Sequence, residues 1–136
     1  MTKNIFVAFG HHNTKNSFNA SVRDTFIEEA KKCGHNIDLI NLHEEKQLNF
    51  FDGKPPNDQV LDYRKRLEKS DVMFLISPCY NLRASAILEN WIDLVLAPKW
   101  FFAFKRVYGN WGYPVAGLMK NKLAIMSMSY GGNIFS

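Results

Sequence analysis

The feature that most restricts the fold of this chain is the spacing of its continuous apolar runs. Ile5-Phe6-Val7-Ala8-Phe9 is apolar throughout, and Val72-Met73-Phe74-Leu75-Ile76 repeats the pattern. A strand with one face in water alternates polar and apolar residues. A strand apolar along its whole length has both faces covered, as in a parallel sheet between helices. The segments between the runs carry helical signals. Ser17 is a good N-cap, Phe18, Val22, Phe26, Ala30 and Cys33 recur at helical spacing, and Gly34 is a natural C-terminal stop. Ile37 to Leu42 reads as a second strand. Residues 43–58, with Gly53, Pro55 and Pro56, read as a long surface loop, and a helix follows from Asn57 or Asp58 to about Ser70. Pro78 is expected to break the third strand. A third helix is expected from about Ala84 to Leu96, burying Ile87, Leu88, Trp91, Ile92 and Val95. Residues 97–121 read as an aromatic-rich excursion, and Leu123 to Met128 as a fourth strand. Strand–helix alternation of this kind predicts an α/β fold in one domain, residues 1–136, with right-handed crossovers and strand order 2-1-3-4. Ligands in such a sheet bind outside the carboxyl ends of the strands, where strands 1 and 3 diverge.

Composition narrows the function classes. Seventeen Lys plus Arg against thirteen Asp plus Glu give a net charge of +4, spread along the chain rather than gathered in one basic stripe. That suits an anionic cofactor and gives no footprint for nucleic acid. The first apolar run is too short for a membrane span or a signal-peptide core. Cys33 and Cys79 form no CxxC pair. Free thiols and a cytoplasmic protein are the expectation.

Chemistry is expected on three loops at strand carboxyl ends. The first, residues 10–17, precedes a helix N-terminus, where free N–H groups and the helix dipole favour a phosphate. Thr14 and Ser17 add hydroxyls, and His11 or His12 adds an imidazole. Ser17 acting only as a cap is the plainer alternative. The paired histidines have no carboxylate or thiol at ligand spacing, so no metal site is expected. The second loop, Ser77-Pro78-Cys79-Tyr80-Asn81-Leu82-Arg83, can offer backbone donors to a flat heterocycle, and Tyr80 either stacks on it or packs. Cys79 has no fixed histidine partner and reads as an inert thiol. The third, Ser129-Tyr130-Gly131-Gly132, ends a strand with two glycines that let a ligand approach the backbone, or simply turn. The run Trp100-Phe101-Phe102-Ala103-Phe104 reads as the wall of a ligand site or as an oligomer interface.

These loops in this order resemble the flavodoxin-like NAD(P)H:quinone oxidoreductases, along the whole chain. His12 with Ser17-Phe18-Asn19 is similar to the family's His-loop-SFN segment, and His11 is a rival for the histidine. Pro78 with Ala86-Ile87-Leu88 and Trp91-Ile92-Asp93 resembles its strand-end proline and the P-A-I-L-K-x-W-I-D helix. Phe102-Ala103-Phe104 is similar to its F-A-F segment, and Ser129, Gly131 and Gly132 to its T-T-G-G loop. The resemblance implies a flavoprotein that reduces quinones or similar acceptors by hydride transfer from NAD(P)H through bound flavin. It implies FAD, with FMN the alternative. It implies a cofactor site made of His11, His12, Ser17, Phe18, Asn19, Pro78, Cys79, Tyr80, Asn81, Leu82, Ser129, Tyr130, Gly131 and Gly132, with Tyr80 and His12 as candidate catalytic residues. It also implies a homodimer that builds its site across a two-fold interface.

The chain departs from the family at several positions. Asn81 and Leu82 stand where the family often has Trp or Tyr, Ser85 stands at its proline, and Phe135 lies nearest its tyrosine beyond the double glycine. A fifth strand and last helix are missing from the pattern, roughly thirty residues by the size of one βαβ unit. Without them, strands 3 and 4 are expected to be uncovered on one face and strand 4 to be an open edge. A truncated or inactive family member, or a non-catalytic binding module, is the alternative to an enzyme.

Overall fold

The computed structural model describes residues 1–131. Strand β1 (Asn4–Phe9) leads through α1 (Phe18–Lys32) to β2 (Asn36–Asn41), and α2 (Asp58–Lys69) leads to β3 (Val72–Tyr80). After a two-residue strand β4 (Arg83–Ala84) come α3 (Ala86–Val95), β5 (Phe102–Tyr108), β6 (Trp111–Gly117) and β7 (Leu123–Ser129). The expected fourth strand is therefore β7. Its parallel pairing with β3 completes the predicted order, β2-β1-β3-β7, and β4 pairs antiparallel with the end of β3.

Asp71 sets the start of the ladder. Its carboxylate accepts the Asn4 N–H at 2.8 Å, its N–H donates to the Asn4 carbonyl at 2.7 Å, and its carbonyl accepts the Leu123 N–H at 3.0 Å. The bond from Asn4 is the main cause holding this carboxyl below its ordinary value. From there Ile5 lies beside Ile37 and Val72, and Val72 beside Leu123.

The continuous runs are buried on both faces, as their composition requires. On one face Phe6, Ala8, Met73 and Leu75 pack under Val60, Tyr63 and Leu67 of α2 and Leu88, Trp91 and Val95 of α3. Phe6 and Trp91 stack with centroids 5.8 Å apart. On the other face Ile5, Val7, Phe9, Phe74 and Ile76 meet Ala20 and Ala30 of α1. Two long cations close helix ends. Lys122 Nζ donates to the carbonyls of Leu67 (3.0 Å), Glu68 (2.9 Å) and Ser70 at the end of α2, and Arg64 donates to Leu94 (2.9 Å) and Val95 (3.1 Å) at the end of α3. Such groups satisfy carbonyls that have no intrahelical donor.

Four expectations need correction. Pro78 does not break β3, which runs on to Tyr80. The Ile76 carbonyl accepts the Gly10 N–H at 2.8 Å, so Ile76 faces β1. Pro78, two residues on, faces the same side after β1 has turned away, where no ladder bond needs its missing N–H. The third helix begins at Ala86, since Arg83–Ala84 is taken by β4. Residues 97–121 contain an antiparallel hairpin, β5–β6. Finally, of the residues at helical spacing, Val22, Phe26 and Ala30 of α1 pack on the core, whereas Phe18 is 73% exposed, Cys33 is exposed, and Asn19, Ala20 and Arg23 are buried instead. The expected open face is present only in part. Phe26 covers Phe74 at 4.4 Å, whereas Leu123 on the same face of β7 is exposed and β7 pairs only with β3 among the described residues.

Replacing Lys122 by Met keeps the stem and removes the charge-assisted cap. It should lower the unfolding free energy by about 1–2 kcal/mol. The check is a urea titration in which the midpoint falls and the slope stays constant.

Candidate functional site

The three predicted loops meet at the carboxyl ends of β1, β3 and β7, and side-chain bonds tie the first to each of the other two. Loop one joins loop two through serines. Ser77 Oγ accepts the Ser85 N–H at 2.8 Å and lies 3.1 Å from Ser85 Oγ, which donates to the Gly10 carbonyl at 2.6 Å. Both serines are buried. A Cβ on Gly10 would lie 2.8 Å from Ser85 Oγ and 3.0 Å from Leu88 Cβ, so this crossing has room only for glycine. Loop one joins loop three through Asn19, whose Nδ2 donates to Ser129 Oγ at 2.7 Å. Loop two lies against loop three in the ladder, with Pro78 level with Ser129, and the Cys79 thiol is the main cause that pushes the exposed Tyr130 above its ordinary value.

Loop one is organised from within by Asn13. Its Oδ1 accepts the N–H groups of Lys15 (3.2 Å) and Asn16 (2.8 Å), its Nδ2 donates to the Asn16 carbonyl (2.9 Å), and its carbonyl accepts the Ser17 hydroxyl (2.9 Å). Ser17 caps α1 by accepting the Ala20 N–H at 3.1 Å. Two of the donors expected for a phosphate thus converge on one side-chain oxygen.

The two histidines behave differently. His11 Nδ1 accepts the Asn13 N–H at 2.9 Å, which ties the ring into the loop. His12 is exposed and stacks on it at 4.5 Å. His43, at the end of β2, stands edge-on to His12 at 6.4 Å. Partial burial is the main cause that pushes His11 and His43 below the ordinary 6.5, and His12 adds to it in both. Sequence reasoning missed His43, which lies in a polar loop without a motif. It also missed Arg23, which is buried beneath loop one. Among the described residues no group of His, Cys, Asp and Glu is arranged to hold a metal ion.

In loop two, Asn81 (φ 50°) and Leu82 (φ 64°) form the tip of the β3–β4 hairpin, both left-handed. Leucine has no local hydrogen bond to offset that conformation, so the turn carries strain. Tyr80, Leu82 and Tyr130 are exposed around the meeting point, and Phe18 stands at its rim. Inside it, Asn19 Oδ1 is buried without a hydrogen-bond partner among the described residues. Buried acceptors in native proteins normally have a donor, so this junction suits a ligand bearing hydroxyl or amide hydrogens. Gly131 is described and Gly132 lies outside the described residues. A separate cavity of about 340 Å³ between the 42–50 segment and α3 is lined by His43 but by no residue of loops two or three.

A family profile for the flavodoxin-like fold matches residues 3–136. The chain belongs to that family. It is 26% identical over 155 residues to the mouse (Mus musculus) protein named ribosyldihydronicotinamide dehydrogenase [quinone], covering 96% of this chain and 64% of the relative. It is 30% identical over 145 residues to a Clostridium perfringens protein named FMN-dependent NADH:quinone oxidoreductase, covering 97% of this chain and 70% of that one. Among solved structures it superposes on a putative quinone reductase from Klebsiella pneumoniae with a TM-score of 0.76 at 20% identity, over 96% of this chain and 60% of that one. The chain thus spans less than two thirds of the mammalian relatives it matches.

Three outcomes test this geometry. Ser85→Ala leaves the buried Gly10 carbonyl without its donor and should cost about 1–3 kcal/mol, read by urea unfolding. Leu82→Gly relieves the left-handed turn and should stabilise by about 1 kcal/mol, read as a higher melting temperature. The third concerns pH. A histidine whose folded value lies below its unfolded one adds stability above the unfolded value and loses it as pH falls. Stability should therefore decline as pH drops below about 6.5 toward the lowered folded values, and His11→Gln should flatten that slope in denaturation midpoints between pH 7 and 5.5.

Proposed function

We propose that this chain forms the flavin-binding part of an NAD(P)H-dependent reductase acting on quinones or similar acceptors. The observation that carries the proposal is the lacing of three strand-end loops around one junction that holds a buried acceptor, Asn19 Oδ1, with no partner among the described residues. The names of the relatives support it. When bound, a flavin supplies hydride acceptance and release.

The chain's own residues bind and orient. Loop one, with His12, Ser17 and Phe18, would hold the phosphate end. His12 is preferred to His11 because it is exposed, whereas His11 is engaged with Asn13. Asn19 would take a donor at the junction. Loop two, Pro78 to Leu82, and loop three, Ser129 to Gly131, would flank the ring. The Tyr80 hydroxyl and the His12 imidazole are the candidates for moving a proton. The name of the Clostridium perfringens relative favours FMN over the FAD that loop one suggests from sequence. The exposed aromatic residues of β5–β6, Phe104, Tyr108, Trp111 and Tyr113, support association with a second copy.

The test is titration of the purified protein with FMN and with FAD, followed by addition of NADH or NADPH and then a quinone. A bound flavin whose visible band bleaches with the nucleotide and returns with the quinone is the expected result. Uptake of neither flavin would refute the proposal and leave a binding module without redox chemistry.

A further inference from the structure

We infer that Arg23 is a positioning residue that makes loop one selective for a phosphate-bearing ligand. The inference rests on the flavin reading above and adds a determinant for that ligand's anionic end.

Arg23 lies on α1 and is 7% exposed. Its guanidinium sits 4.5 Å from the centroid of the Phe9 ring, directly before the loop begins. Nη2 donates to the Thr14 carbonyl at 2.7 Å, Nη1 to Asn41 Oδ1 at 3.1 Å, and Nε to Asp24 Oδ1 at 2.7 Å. The carboxylates around it face water. The Asp24 side chain is 60% exposed, and Glu44, also exposed, is held below its ordinary value mainly by the Thr14 hydroxyl and the Asn41 amide. A buried cation whose counter-charges are solvated keeps part of its field, and that field acts on the loop above it.

The contact with Thr14 has a directional effect. In a trans peptide the C=O and the following N–H point in opposite directions. Drawing the Thr14 carbonyl toward Arg23 therefore turns the Lys15 N–H away from it, to the side where the Asn16 N–H also points. Asn13 Oδ1 collects both donors. A phosphate oxygen taking the place of Asn13 Oδ1 would meet the same pair of adjacent backbone N–H groups. Arg23 touches no ligand itself. It acts by fixing that peptide and by placing positive charge behind it.

The experiment compares FMN with riboflavin, which has the same ring and ribityl chain but no phosphate, by quenching of flavin fluorescence. The unsubstituted protein should bind FMN more tightly. Arg23→Gln should weaken FMN by about tenfold or more and leave riboflavin within about twofold. Arg23→Lys, which keeps the charge but lacks the planar fork that reaches Thr14, Asn41 and Asp24 at once, should recover part of the FMN preference. It carries the same comparison if Arg23→Gln does not fold. Equal loss of both flavins in the variants would make Arg23 merely structural and overturn the inference. Equal affinity for both flavins in the unsubstituted protein would overturn it while sparing the flavin reading. Binding of neither would overturn both.

Discussion

Everything in the molecule depends on the central strand β1 lying between β2 and β3 in one register. Because Ile5 to Phe9 are apolar without interruption, none of these five residues faces water. The sheet must be covered by α1 on one side and by α2 and α3 on the other. The same register decides where the chain leaves the sheet. Phe9 lies level with Asn41 and Ile76, so loop one opens at the height where β3 still continues. The step between the end of β1 and the end of β3 makes the concave place where the loops meet.

The loops above that step are held by polar bonds rather than by apolar burial. Ser77, Ser85 and Asn19 are buried but bond sideways: Ser85 to Gly10 of loop one, Asn19 to Ser129 of loop three, and Ser77 to Ser85. This gives the junction a geometry that packing alone would not specify, since apolar contacts are not directional. It also concentrates sensitivity: a single hydroxyl lost at Ser85 loosens two loops. The left-handed pair Asn81–Leu82 belongs to the same pattern, a turn kept in an unfavourable conformation beside the junction by the strands that flank it.

Much of this was legible in the sequence. The parallel sheet, its order and the helix cap at Ser17 follow from continuous apolar runs and short-range chemistry, and the convergence of the loops follows from topology. What was hidden depends on distance or on atypical environment. Asn19 and Ser129 are 110 residues apart, and nothing local marks them as partners. Arg23 reads as a solvent-facing helix residue because its charge hides the apolar stem and ring that cover it. Ser85 looks like the loss of a family proline, whereas its hydroxyl closes the loop one–loop two bond. The β5–β6 hairpin escaped detection because aromatic and basic residues occupy both its faces, so the alternation that identifies a half-buried strand is missing.

That hairpin has a consequence for how the chain assembles. Bonds across the sheet start join residues 32 and 67 positions apart, while β5 and β6 meet across a short turn at Gly109 and Asn110. Local closure takes on the order of microseconds, whereas sheets built from distant segments form far more slowly. The aromatic hairpin can therefore close as soon as its own two strands are free, without waiting for any other part of the sheet. Its exposed rings are then available to other molecules while the rest of the chain is still folding.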